Sequence, residues 1–304
     1  MIKGKLGEKS YKPKFSGHET FPFRYLWLSK LLISIEEKGS QHLKAYSMMD
    51  LMVEFGVGAN MTKSIKHWGV VLDLITQDFE LTEFGQALLK YDRYLENPQT
   101  LWLLHWKICS NPELTTWYYI FNHLQTTRLD KKKLLEQFNT IWSKASLNTI
   151  ERDIHCFFRM YTYSLNKKGM ISEDSLECPL VELNILSAGL TEGSYEIQRG
   201  AKPSLSLAVF TFALSEFCKQ LESTTGLISF DNLLYGDGSP AKVFCLTESA
   251  LSEYLENLEN DGGSQFKFTD GVGGLKQIQI LKDINYKMLL KNIFSSRTKR
   301  RSAA

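Results

Sequence analysis

The sequence predicts a mainly α-helical fold with short β-hairpins, organised as tandem winged helix-turn-helix units that flank a helical middle domain. Two observations predict it. Between Ser47 and Leu89, two stretches of helical periodicity are separated by a glycine-containing turn and followed by an extended break and another helix. From Leu205 to about Phe294 the same grammar returns, with helices followed by two alternating segments.

In the first unit, Met48, Leu51, Met52 and Phe55 fall at i, i+3, i+4 and i+7 and form one apolar face. Gly56 and Gly58 supply a tight turn, and Asn60 or Thr62 is expected to cap the next helix. There Met61, Ile65, Trp68 and Leu72 form the buried stripe, which leaves Asn60, Thr62, Lys63, Lys66 and His67 on the other face. A helix divided this way suits a DNA major groove: lysines meet phosphate or guanine, and Asn60 reads adenine. Residues 77–82 are expected as a short wing, although Asp78 and Glu80 suit a strand on phosphates poorly. A plain three-helix packing unit and a protein-docking module have the same pattern.

The chain of 304 residues is long enough for two or three packed units. Hydrophobic content of 43% and charged content of 23% are those of a soluble globular protein. With 36 cationic against 34 acidic side chains, no global positive field advertises nucleic acid, so a DNA footprint must come from local patches. Cys109, Cys156, Cys178, Cys218 and Cys245 are scattered, with no zinc or CxxC spacing, which predicts reduced, buried thiols in a cytoplasmic protein without metal or cofactor. No apolar run approaches the ~18 residues of a membrane span, and the N-terminal lysines precede no apolar signal core.

Residues 1–14 carry five lysines with two glycines and a proline, and are expected as a flexible basic arm, either lying along phosphates or serving as a solubilising tail. Residues 15–25, FSGHETFPFRY, embed His18, Glu19 and Arg24 among aromatics and lead into an apolar helix. A catalytic cluster there lacks a second ligand or carboxylate nearby. His18 and Glu19 are instead expected to hydrogen-bond the start of the helix that Pro22 opens.

From here the chain resembles an uncharacterised bacterial family, the one catalogued as domain of unknown function number four thousand and seven. FSGHETFPFRY is followed at a similar distance by EFGVGANMTKSIKHW, and matching words recur at 178–183, 199–205, 238–244 and 274–278. The resemblance implies a setting near DNA phosphorothioation and phage-defence genes, with other proteins of such an operon as partners. It carries over no catalytic residues. A reductase label does not fit a chain without a nucleotide-binding glycine loop or paired redox cysteines.

Asn97-Pro98 opens a helical span rich in tryptophan and tyrosine, whose aromatics are expected in the core. Lys131, Lys132 and Lys133 form a small basic run at another helix start. Between residues 166 and 200, Leu183–Leu186 and Ser194–Ile197 suggest a hairpin, and Arg199 and Lys202 at its end are candidate phosphate contacts. In the last part, Leu205–Leu221 is a long helix, and Thr247 caps another with Leu251, Tyr254, Leu255 and Leu258 on one face. Phe266–Thr269 and Gln277–Ile280 then alternate like two strands around a glycine-rich turn, with Lys267 and Lys276 decorating the hairpin.

The predicted division is a basic arm (1–14), an N-terminal winged helix-turn-helix (15–96), a helical middle region with a terminal hairpin (97–200), a C-terminal winged-helix-like unit (201–294) and a basic disordered tail (295–304). The expected function is binding of duplex DNA and recruitment or regulation of partner proteins in a DNA-modification or defence system. One alternative is a docking adaptor that never touches DNA. Another is a nuclease or hydrolase built on His18 and Glu19, which a buried His18 would argue against.

Overall fold

In the computed structural model, helix α1 (Tyr25–Lys38) packs against both α3 (Met48–Phe55) and α4 (Ala59–Val71), with the short α2 (Ser40–Ala45) between. The residues described are 4–163, 178–191, 193–221, 226–258, 265–270, 276–281 and 285–301. Helix α3 begins at a capping box, in which Ser47 Oγ accepts from Asp50 N and Asp50 accepts from Ser47 N. It ends at Gly56 in the left-handed region, as the glycine turn predicts.

Helix α4 corrects the expected cap. Gly58 is the N-cap and offers no side-chain bond, Thr62 Oγ1 donates back to Gly58 O at 3.2 Å, and Asn60 is already the second residue of the helix. At the expected wing, Ile75 and Leu81 form an isolated antiparallel bridge. Helix α5 (Glu83–Tyr91) follows, capped by Thr82. Its Gly85 lies so close to the preceding turn that a Cβ there would sit 2.0 Å from Leu74 O.

Helices α6 (Pro98–Cys109) and α7 (Thr115–Asn122) form the centre of the molecule, as their aromatic content predicts. Trp68, Trp102, Trp106 and Trp117 are all fully buried in one continuous core. Asn97 caps α6, and Pro98 occupies its first turn, where a missing N–H costs nothing.

Residues 4–14 are not a free arm. Leu6 is buried, Tyr11 donates its hydroxyl to Pro112 O at 2.8 Å, and Lys14 N donates to Thr115 Oγ1 at 2.7 Å. One leucine and one tyrosine anchor the strap, and its lysine count gives no sign of them.

The middle region contains β1 (Arg128–Asp130), α8 (Lys131–Ile141), α9 (Leu147–Tyr161), β2 (Leu186–Ala188) and β3 (Ser194–Ile197). Strand β3 coincides with the expected Ser194–Ile197, but its partner β2 meets the expected Leu183–Leu186 only at Leu186, because Pro179–Leu183 is a 3-10 helix; β1 adds a third strand, pairing Leu129 with Tyr195, so the sheet order is β1-β3-β2. The turns expected from residue 166 up to 177 lie outside the described residues.

The last part contains α10 (Leu207–Gln220), β4 (Leu227–Ser229), α11 (Phe230–Tyr235), α12 (Pro240–Val243), α13 (Glu248–Glu256), β5 (Phe266–Asp270) and β6 (Lys276–Ile280). Thr247 caps α13 through Ala250 N, and β5 and β6 pair antiparallel as predicted, in the order β4-β6-β5. The glycine-rich turn at 271–275 lies outside the described residues.

Both sheets thus have the same order, first-third-second. Each is entered by a helix and a short strand, then by further helices, then by an antiparallel pair. The final helix α14 (Tyr286–Arg301) packs on α5 and α10 and continues through Arg301, where an unstructured tail was expected. Its buried Leu289, Leu290, Ile293 and Phe294 supply the packing from which the basic end propagates as helix. Among the described residues no helix is long and apolar enough to cross a membrane.

Candidate nucleic-acid interface

The face of α4 is narrower than its sequence suggests. Asn60 and Lys63 are exposed, and Lys66 is half-buried with its ammonium 4.6 Å from the centre of the Phe79 ring. That cation–π contact fixes Lys66 beside the Ile75–Leu81 bridge rather than leaving it free in solvent. Thr62 is 1% exposed and its hydroxyl is spent on Gly58, so it does not belong to the outward face.

His67 also turns inward. Its ring packs edge-on against those of His18 and Trp68, and a Cβ on Gly17 would lie 2.5 Å from its Cε1. Burial, followed by the nearby His18 and Lys14, lowers its pKa to about 4, so at neutral pH it brings no charge to a phosphate.

Behind this helix the FSGHETFPFRY segment is pinned from two directions. Trp68 Nε1 donates to Phe21 O at 2.9 Å. His18 Nε2 lies 2.6 Å from Asp153 Oδ1 on α9, with both side chains sealed from solvent. Thr20 N donates to His18 Nδ1 at 3.0 Å, so Nε2 carries the ring proton and donates it to the carboxylate. The ring stacks on Trp68 and meets Trp117 edge-on. Glu19 is half-buried with a positive φ of 49°, and Arg24 holds its guanidinium 5.3 Å from the Trp27 ring as the N-cap of α1. At this joint His18 thus bonds Asp153 on α9 rather than the start of the helix that Pro22 was expected to open.

The other candidate contacts are dispersed. Lys202 is buried and donates to Gln198 O at 2.6 Å, its pKa lowered by burial, so it does not serve as a phosphate contact. Arg199 is exposed at the rim of a cleft of about 1520 Å³ walled by Tyr119, Trp142 and Tyr235. Within that cleft Lys242 Nζ pairs with Asp237 at 3.0 Å, and His123 Nε2 lies 3.8 Å from the same carboxylate. Lys267 is exposed on β5, whereas Lys276 on β6 lies 3.9 Å from Asp270 and over the Phe230 ring. Asn60, Lys63 and Lys66 share one helix face; the sequence-predicted cations after them belong to other elements.

The five thiols are free and buried, and burial raises the pKa of each, for Cys245 to about 11 and for Cys178 and Cys218 to about 12. Among the described residues no group of three or more His, Cys, Asp or Glu side chains converges as a metal site.

What the sequence reading missed is the exposed side of α9. Asn148, Arg152 and His155 are exposed and Arg159 is half-buried. They fall at i, i+4, i+7 and i+11 on a strongly amphipathic helix, a spacing visible in the sequence.

The model of a family described as "Protein of unknown function (DUF4007)" matches residues 15–294. Two solved structures, described as "SspB crystal structure" and "Magnesium ion-bound SspB crystal structure", are similar to the chain with a TM-score of 0.78 each. Their identities to it are 23% and 22%, and each alignment covers 95% of this chain and 88% of that one. At that identity the likeness is one of fold. No curated protein matches the chain.

Proposed function

The chain belongs to the DUF4007 family, and on that premise we propose that it is a duplex-DNA-binding protein that reads DNA through a winged helix-turn-helix formed by α3, α4, the Ile75–Leu81 bridge and α5. The observation that carries the reading is the division of α4. Ile65 and Trp68 are fully buried against the joint and the neighbouring helices, while Asn60 and Lys63 project into solvent and Lys66 is braced over Phe79. An amide and two cations on one ridge are the groups that read adenine and neutralise phosphate. The setting in a DNA-modification or phage-defence system, with partner proteins that the chain recruits or regulates, is what the family resemblance implies.

The test is fluorescence anisotropy of a labelled duplex of ~30 base pairs across a salt series. Wild type is expected to bind with log affinity falling linearly against log salt, and Lys63→Glu is expected to lose affinity and part of that slope. Equal binding by wild type and variant removes α4 from the interface.

A docking role is the second reading, favoured by the apolar exposed side of α3, where Met49 is 66% and Val53 is 76% exposed. Absence of duplex binding at low salt would leave that reading in place. The hydrolase alternative loses its ground, because His18 is buried and bonded to Asp153.

A further inference from the structure

The middle region repeats the strand order of the last part, with two α-helices between the first strand and the antiparallel pair where the last part has three. Helix α7, strand β1, helices α8 and α9 and the pair β2, β3 correspond to α10, β4, the helices up to α13, and β5, β6, and both sheets run first-third-second. In such a succession the second helix of the helix-turn-helix pair, the one just before the antiparallel strands, is the one placed to enter a major groove. In the middle region that helix is α9, which packs on α8 and enters from a five-residue connection.

Topology alone does not make a DNA site, and α13 shows why. Its exposed positions include Glu248, Glu253 and Glu256, which would repel phosphate. The exposed face of α9 instead presents Asn148, Arg152, His155 and Arg159 in one row, with Glu151 as the acidic residue flanking it. Lys131 extends the row from the start of α8, its ammonium held 5.1 Å from the Phe158 ring and 5.3 Å from the Tyr195 ring. Arg159 is oriented by a 3.4 Å bond from Nη1 to Thr20 O. His155 is depressed by burial, then by the proximity of Lys131 and Arg159, so cations crowd one another here with Glu151 as the opposing charge. No carboxylate is bonded to Arg152 among the described residues. Two arginines in one row beside an amide, one of them without a carboxylate partner among the described residues, favour a polyanion with base edges within reach.

We propose that α9 is a second DNA-contacting helix, with Asn148, Arg152, His155 and Arg159 facing the duplex and Arg152 a phosphate anchor. The proposal rests on the reading of the chain as a DNA-binding protein, but not on α4 being the helix that binds.

The experiment compares Arg152→Glu, Arg152→Gln, Lys63→Glu and wild type on the same duplex over the same salt series, with circular dichroism to establish that each variant is folded. Arg152→Glu is expected to bind about tenfold more weakly at low salt, with the slope of log affinity against log salt shallower by roughly 0.9, the value for one phosphate. Arg152→Gln is expected to show the same change in smaller measure. If Arg152→Glu weakens binding and Lys63→Glu does not, α9 is the reader and the α4 reading falls. If Lys63→Glu weakens binding and both Arg152 variants match wild type, the present proposal is overturned and the α4 reading stands. If wild type binds no duplex, both fall.

Discussion

His18 and Asp153, 135 residues apart in the chain, meet at 2.6 Å with neither side chain more than a few percent exposed. Their bond joins the segment before α1 to α9, and Thr20 fixes which ring nitrogen donates. Removing one partner strands the other in a dry interior. His18→Ala is therefore expected to destabilise the fold by about 3–5 kcal/mol, the usual cost of breaking a buried pair, measured as a shift of the urea midpoint at constant m. A loss below about 1 kcal/mol would show the joint to be held by its aromatic packing instead.

Thr62 and Asn60 are neighbours in sequence with opposite fates. Thr62→Val removes a hydroxyl bonded within its own helix, so duplex affinity is expected to stay within twofold of wild type, at a stability cost of about 1 kcal/mol. Asn60→Ala is expected to leave stability unchanged and to alter preference at one base position by roughly 1–3 kcal/mol. Competition titrations with single-position sequence variants would distinguish the two, and a Thr62→Val preference change would return that residue to the interface.

Acid should weaken the fold through His67. Its folded pKa of about 4 lies below the ordinary histidine value of 6.5, so between those values the unfolded chain binds the extra proton. The contribution is complete above about pH 6.5 and is lost as the pH falls towards 4. At pH 5 this amounts to about 2 kcal/mol relative to neutral pH. A His67→Asn variant should lose correspondingly less stability between pH 7.5 and pH 5; equal losses would exclude His67 as the source.

Gly85 admits no side chain where it lies. A methyl group would approach Leu74 O to 2.0 Å, and the obstacle is backbone rather than a side chain that could swing away. Gly85→Ala is expected to lower the thermal midpoint by an amount corresponding to about 1–3 kcal/mol. An unchanged midpoint would mean that α5 shifts freely against the turn before it.

Much of the fold is legible in local patterns. Helices α3, α4 and α13 follow from apolar spacing at three and four residues and α10 from its long apolar run, Thr247 is a cap by residue type, and β5 and β6 show strict alternation. What escapes is whatever depends on distance or brevity. Strand β1 has three residues, too few for a period, so the repeat that it completes in the middle region is hidden. Asp153 sits on the buried side of an amphipathic helix, and nothing near it in sequence points to His18. Lys202 has the composition of a surface contact, yet a carbonyl four residues back captures its ammonium. On α4 the helical wheel assigns Thr62 and His67 to the open side, but the joint packed beside the helix covers that sector and leaves a narrower ridge.

The strap formed by residues 4–14 also bears on the order of events during synthesis. Its Tyr11 seats on Pro112 and Thr115, and Gly4 lies against the Asp237 carboxylate. At ribosomal speeds of roughly 5–20 residues per second, the first of these seats emerges many seconds before the second. The strap must therefore wait, partly docked, for roughly 6–24 seconds while the elements up to Asp237 are made. The strap closes late in biogenesis although it is translated before the elements that hold it.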